Sequence, residues 1–183
     1  MSWTPSLDVP RPRTAPPGGA VPSLDADPAG PTVILGVAAS DAHVVANQLI
    51  AFQLRQLGYH VVNLGACTPV RQFVACAAEH PGVLAIVIGS INGHAVEDLT
   101  PLRAAKDRGE IPCPVIVGGN LSVGSAKTGN EAAVLHRLGA DHVLTGIGEL
   151  IALLGELRAV RAGLAGPGGI CAAVRSPALT PAS

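Results

Sequence analysis

Aromatic residues are almost missing from this sequence, which has one tryptophan, one tyrosine and two phenylalanines among 183 residues. Proteins that grip single-stranded nucleic acid stack its bases on aromatic side chains, so this scarcity argues against that class. No block of lysine and arginine occurs either, and the formal net charge is −1. Without a basic block to track a phosphate backbone, no nucleic-acid partner is expected. No run of about 18 consecutive apolar residues is present, so no membrane span and no membrane partner is expected. The amino terminus lacks a basic segment followed by an apolar core, the pattern of a secretory signal. The four cysteines, Cys67, Cys76, Cys113 and Cys171, form no C-x-x-C pair. That spacing gives neither a zinc site nor a disulfide framework, and reads as reduced, buried thiols in a cytoplasmic protein.

Two phosphate-binding signatures are missing as well. There is no G-x-x-x-x-G-K-[ST] loop, and no G-x-G-x-x-G follows the first apolar run, which argues against nucleotide and dinucleotide sites. What remains is a chain that is 48% hydrophobic and 14% charged, enough to fill the core of one ordinary domain. Residues 1–30 are rich in proline, glycine and small side chains without apolar periodicity, and read as a disordered arm. Residues 164–183 read as a flexible tail, and 31–163 as the folded domain.

Within 31–163 strand and helix patterns alternate. Apolar runs at 32–38, 59–65, 82–90, 113–119 and 140–146 predict strands. The run 82–90 is continuously apolar, the mark of a central strand buried on both faces. Helical spacing covers 43–58, 69–80, 94–108, 130–139 and 148–163, with Gly58 as a stop and Thr68 as a cap before Pro69. Such alternation predicts an α/β fold of the flavodoxin-like (Rossmann-like) type. It has a five-stranded parallel sheet in the order 2-1-3-4-5 with helices on both faces. In that order strands 1 and 3 are neighbours, and the carboxyl ends of the strands beside this switch point are where ligands bind.

Three loops reach that edge. The first, "SDAHVVAN", carries Asp41 and His43. A carboxylate bonded to one imidazole nitrogen fixes the tautomer and strengthens the other nitrogen as an electron-pair donor, which suits a metal ligand or a general base. The same residues also suit a plain surface loop with an aspartate cap. The second loop, "GSINGHA", places Ser90 at the end of the buried strand and Gly93 at a close approach. Ser90 there can bond a heterocycle in the cleft or cap a turn, and His94 reads as a solvated first-turn residue. The third, "VGGNLSVG", has Gly118 and Gly119 where a bulky ligand could pass the backbone, although turns use paired glycines freely. A single histidine ligand makes sense when the metal brings most of its coordination sphere with it, as in a macrocycle.

On these residues the chain resembles a known family. Residues 32 to about 157 resemble the cobalamin-binding domain of adenosylcobalamin-dependent mutases, whose pattern is D-x-H-x-x-G, then S-x-L, then G-G. Within that group the chain is similar to the small subunit of glutamate mutase (methylaspartate mutase) in "ILGVAASDAH", "YHVVNLG" and "VIVGGNLSVG". The matching positions are Asp41-Ala42-His43, Ser90-Ile91-Asn92-Gly93 and Gly118-Gly119. Ala46 stands where the family motif has glycine, and Asn92 where it has leucine. Gly146 and Gly148 occur after the fifth strand, without the proline common there.

The resemblance implies adenosylcobalamin as cofactor, with His43 as the lower axial ligand of cobalt and Asp41 bonded to His43. It places Ser90 against the buried benzimidazole, and Asn120, Leu121, Ser122, Val123 and Gly124 along the nucleotide tail. Ser40, Ala42, Val44, Ile91, Asn92 and Gly93 complete the expected binding set. The reaction implied is isomerisation of (S)-glutamate to threo-3-methylaspartate by a radical route, with the substrate on a separate large barrel subunit. No catalytic residue is then expected on this chain. A corrinoid-binding carrier or sensor of another class is the alternative, as is a flavodoxin-like interaction domain without cofactor.

Overall fold

The computed structural model describes residues 30–119 and 130–163. The elements run β1 (Thr32–Val37), α1 (Val44–Gln56), β2 (His60–Asn63), α2 (Val70–Glu79), β3 (Ala85–Gly89), α3 (Ala95–Leu99) and α4 (Leu102–Asp107). They continue with β4 (Val115–Gly118), α5 (Glu131–Arg137), β5 (His142–Leu144) and α6 (Ile147–Arg161). The five strands form one sheet in the order β2-β1-β3-β4-β5, and every pairing is parallel. This is the flavodoxin-like order expected from the sequence. Apart from Gly30, the arm read over residues 1–30 lies outside the described residues, as does the tail over 164–183 with Cys171.

Alternation along the strands builds two cores. Ile34, Ile86, Ile88, Val115 and Val117 turn to one face and meet Phe73, Leu99, Leu102 and Leu135 of the helices there. Val33, Leu35, Val87 and Ile116 turn to the other and meet Ala51 and Leu54 of α1 with Leu150 and Leu154 of α6. The central strands are buried on both faces because helices cover both, which is why 82–90 reads as one unbroken apolar run. The register aligns Val37 with Gly89, Gly89 with Gly118, and Gly118 with Leu144. Four strands therefore stop side by side at their carboxyl ends, and the loops that follow share one edge.

Three expectations need correction. The helix read over 94–108 is two short helices, α3 and α4, divided at Thr100-Pro101. Pro101 has no N–H for the helical ladder and becomes the residue before α4. Thr68 does not cap α2: the residue before the helix is Pro69, without a side-chain cap. The Thr68 hydroxyl instead lies within 3.3–3.4 Å of the carbonyl oxygens of Leu64, Gly65 and Ala66 and tightens the preceding turn. Finally, Cys76 and Cys113 are buried free thiols, but Cys67 is exposed. It sits in the turn after β2 with φ 53. Burial pushes the Cys76 thiol up and the Cys113 thiol up to about 11, which keeps both neutral. Among the described residues no helix is long and apolar enough to cross a membrane.

Candidate functional site at the carboxyl edge of the sheet

Asp41 organises this edge. It leaves β1 through a tight turn in which its N–H donates to Ala38 O at 3.0 Å. Its side chain is completely buried. Carboxylate oxygen Oδ1 accepts the backbone N–H of His43 at 3.0 Å and faces His43 Nδ1 at 2.6 Å. The other oxygen, Oδ2, accepts the N–H of Ile91 at 2.6 Å and of Asn92 at 3.2 Å. The carbonyl of Asp41 accepts the N–H of Cys67 at 3.0 Å. One residue thus ties together the loops after β1, β2 and β3. Asp41 is not the cap of α1, since His43 occupies that position and no side chain caps the helix.

Burial by itself would raise the Asp41 carboxyl. The N–H groups of Ile91 and His43 and the His43 imidazole outweigh it and hold the group below its ordinary value. Asp41 is therefore an anion that can only accept, and Nδ1 of His43 carries the proton in this contact. In a neutral ring held this way, Nε2 is the nitrogen with the lone pair. The His43 side chain is 61% exposed and stands among the residues that line the cleft. A buried anion orienting an outward imidazole is the arrangement of a metal ligand with its supporting carboxylate. Among the described residues no group of three or more His, Cys, Asp or Glu side chains is placed to hold a metal ion.

Beneath His43 lies a cavity of about 150 Å³ between the ends of β1, β3 and β4. Its walls are mostly aliphatic, including Leu35, Ile50, Val87 and Ile116. A largely aliphatic cavity of this size has room for one aromatic ring. Ser90 is buried at its rim and its hydroxyl donates to Asn92 Oδ1 at 3.3 Å. Gly118 and Gly119 form part of the wall. Gly119 has φ +128, and a Cβ there would run into the carbonyl oxygen of Ser90. Only glycine lets the β4 end lie this close to the β3 loop.

The structure brings Asp41, His43, Ser90, Ile91, Gly118 and Gly119 to this cavity. Ser40 and Asn92 do not line it; Asn92 Nδ2 donates to Ser40 Oγ at 2.9 Å and Ser40 Oγ donates to Asp98 Oδ2 at 2.8 Å. Ala42 and Val44 are exposed beside His43 and do not line the cavity, nor does Gly93 in the following turn. Asn120, Leu121, Ser122, Val123 and Gly124 lie outside the described residues. Sequence reading missed Asn47 and Ile50 on α1 and Thr145, Gly146, Ile147 and Leu150 around the start of α6, all of which line the cavity. Helical spacing holds the signal for the first two, because positions four and seven after His43 return to its face of the helix.

The chain matches curated relatives over its folded part. It is 36% identical over 115 residues to the glutamate mutase sigma subunit of Halobacterium salinarum, covering 63% of this chain and 76% of that one. Identity is 38% over 112 residues with glutamate mutase sigma subunit 1 of Haloarcula marismortui, covering 61% and 74%. With the sigma subunit of Clostridium cochlearium it is 31% over 113 residues, covering 61% and 82%. Among solved structures it is similar to a cobalamin-binding protein from Desulfitobacterium hafniense, with a TM-score of 0.58 at 20% identity over 70% of this chain. The monomethylamine corrinoid protein of Methanosarcina barkeri gives a TM-score of 0.53 at 22% identity over 69% of this chain. The chain spans 60% and 57% of those two proteins, and the likeness is one of fold. No protein-family model matches the chain. With relatives of this name at 31–38% identity over about three quarters or more of their length, the chain belongs to the glutamate mutase sigma subunit family.

Proposed function

We propose that this chain is the cobalamin-binding component of an adenosylcobalamin-dependent glutamate mutase, which converts (S)-glutamate to threo-3-methylaspartate together with a large barrel subunit. The observation that carries the reading is His43. Its Nδ1 is held by a buried anion, its Nε2 is free and exposed, and the described residues give it no fellow ligands. One protein ligand serves a metal whose remaining positions are already filled, as they are in a corrin. The cavity below fits the same group: it is apolar, of a size for an aromatic ring, and narrowed on one side by a glycine whose missing Cβ leaves the room.

His43 would hold cobalt through Nε2. Asp41 keeps the imidazole in the required tautomer and orientation and anchors it to the β3 loop, so the ligand does not swing with solvent. Ser90 offers a buried hydroxyl to a benzimidazole in the cavity, and Gly118 and Gly119 leave room for its tail. When bound, the cofactor supplies a cobalt–carbon bond whose homolysis starts radical chemistry. This chain contributes no group to the reacting carbon skeleton, and the substrate-binding half of the site belongs to the large subunit.

The test is a visible spectrum of the purified chain with adenosylcobalamin, with and without His43→Ala. The expected result is a base-off, histidine-ligated spectrum that disappears in the variant. Unchanged spectra in both proteins would refute the axial role. Mutase activity appearing only when a large subunit is added separates the mutase from a carrier or sensor.

A further inference from the structure

Asn47 lies on α1 one turn beyond His43, in the wall of the cavity, and is only 3% exposed. Its Nδ2 donates to Asn63 Oδ1 at 2.7 Å. Its Oδ1 is closed off from water and has no partner among the described residues. The two ends of an asparagine amide have the same shape, so the neighbours decide which end is which. Here the decision runs through the backbone. The N–H of Gly65 can only donate, and it donates to Asn63 Oδ1 at 2.9 Å. That turns the oxygen of Asn63 toward Asn47. The end of Asn47 facing an oxygen must be its NH2, and the end left over is a carbonyl oxygen. What is missing is therefore a hydrogen-bond donor.

Native interiors rarely leave such an acceptor unpaired, because it gave up its water on burial. Nearby wall residues are Ala46, Ile50 and Leu35, the last being the register partner of Asn63. These are aliphatic, and a lone water beside them would find too few partners to settle. An acceptor left without a donor in a wall whose greater part is aliphatic fits a ligand that arrives carrying the complementary group.

We propose that Asn47 Oδ1 is a binding contact for the corrinoid, accepting a hydrogen bond from an O–H or N–H group that the ligand carries into the cavity as the wall parts to admit it. This rests on the cobalamin reading above. Outside the adenosyl group, which adenosylcobalamin and adenosylcobinamide carry alike, such donors lie in two places, the ribose hydroxyls of the nucleotide tail and the amide side chains of the ring. Adenosylcobalamin has both, and adenosylcobinamide lacks the nucleotide tail with its ribose.

The experiment measures the Kd of each corrinoid, and the melting temperature without ligand, for the wild-type chain, Asn47→Leu and Asn63→Ala. Asn47→Leu is expected to weaken adenosylcobalamin binding by about tenfold, the worth of one hydrogen bond to a buried group. Asn63→Ala keeps Oδ1 and is expected to bind within about threefold of wild type, well short of a full hydrogen bond. A loss in Asn47→Leu for adenosylcobalamin alone assigns the donor to the tail, and an equal loss for both corrinoids assigns it to the part the two share. Unchanged Kd values for both would overturn the proposal, and so would an equal loss in Asn63→Ala, because the tie to Asn63 would then explain the effect. Asn47→Ala carries the same prediction if the leucine variant does not fold. A wild-type chain that binds neither corrinoid would overturn the cobalamin reading itself, a result distinct from all of these.

Discussion

Two aspartates hold opposite ends of the sheet, and they do so differently. Asp141, at the amino end beside β5, accepts the N–H of Val115 at 2.7 Å and pairs with Lys106, with its side chain still 41% exposed. Asp41, at the carboxyl end, is completely buried and meets no lysine or arginine among the described residues. It collects backbone N–H groups and one imidazole that faces outward. A carboxylate closed by a lysine ends its influence there. A carboxylate closed by an exposed imidazole passes its charge to the other ring nitrogen, where a ligand can use it. The first aspartate only fastens strand to strand, whereas the second fastens three loops and orients an exposed imidazole.

The largest effect expected from breaking this contrast is at Asp41. Asp41→Ala leaves the N–H groups of His43, Ile91 and Asn92 without their acceptor in a buried place, and should cost about 3 kcal/mol or more in denaturant unfolding. Asp41→Asn keeps the shape and isolates the charge. The folded carboxyl lies below its ordinary value of 3.8. Its contribution is therefore complete above that value and is lost as pH falls through the folded one. The stability gap between wild type and Asp41→Asn should be widest near neutral pH and close progressively in acid. A gap that stays constant down the acid range would show that the carboxylate charge is not what holds the loops.

A smaller effect separates the same two ends through glycine. Gly119→Ala at the carboxyl edge meets both a φ of +128 and the carbonyl of Ser90, and should cost about 1–3 kcal/mol while displacing the β3 loop. Gly109→Ala, in the turn leading toward the amino end of β4, has φ +71 with nothing within 4 Å of the new methyl. It should cost about 1 kcal/mol, the left-handed backbone term alone, and leave cobalamin affinity unchanged. Equal losses at the two sites would remove the claim that the carboxyl edge is packed for a ligand.

How much of this was legible beforehand follows from range. The fold could be read because each strand and helix announces itself within its own few residues, and a continuous apolar run such as 85–89 needs no knowledge of its neighbours. The Asp41–His43 pair could be read because its members are two residues apart. Helical spacing from His43 could bring Asn47 to the right face, but its open acceptor could not be read, because it depends on Asn63 at the end of β2, on Gly65 in the loop after it and on a bond that is not made. The start of α6 was invisible for a similar reason. Thr145 and Gly146 reach the cavity only because β5 lies beside β4 in the sheet, a fact of topology rather than of local pattern. Thr68 misled because its hydroxyl suits a cap as well as it suits the turn it actually closes.

The smallest effect is expected at Lys106. Its ammonium pairs with Asp141 at a partly solvated site, where the gain over water is slight and side-chain ordering offsets much of it. Lys106→Met retains the aliphatic stem and leaves Asp141 Oδ2 on the N–H of Val115, so the strand contact persists. The loss should be under about 1 kcal/mol and should shrink further at high salt. Asp141→Ala should cost more than Lys106→Met, because it also strips the acceptor from Val115, whose residue is fully buried. That order, backbone acceptor over ion pair, is what makes Asp141 a fastening. Comparing it with the acid-sensitive loss at Asp41 measures how far the carboxyl edge departs from ordinary sheet construction.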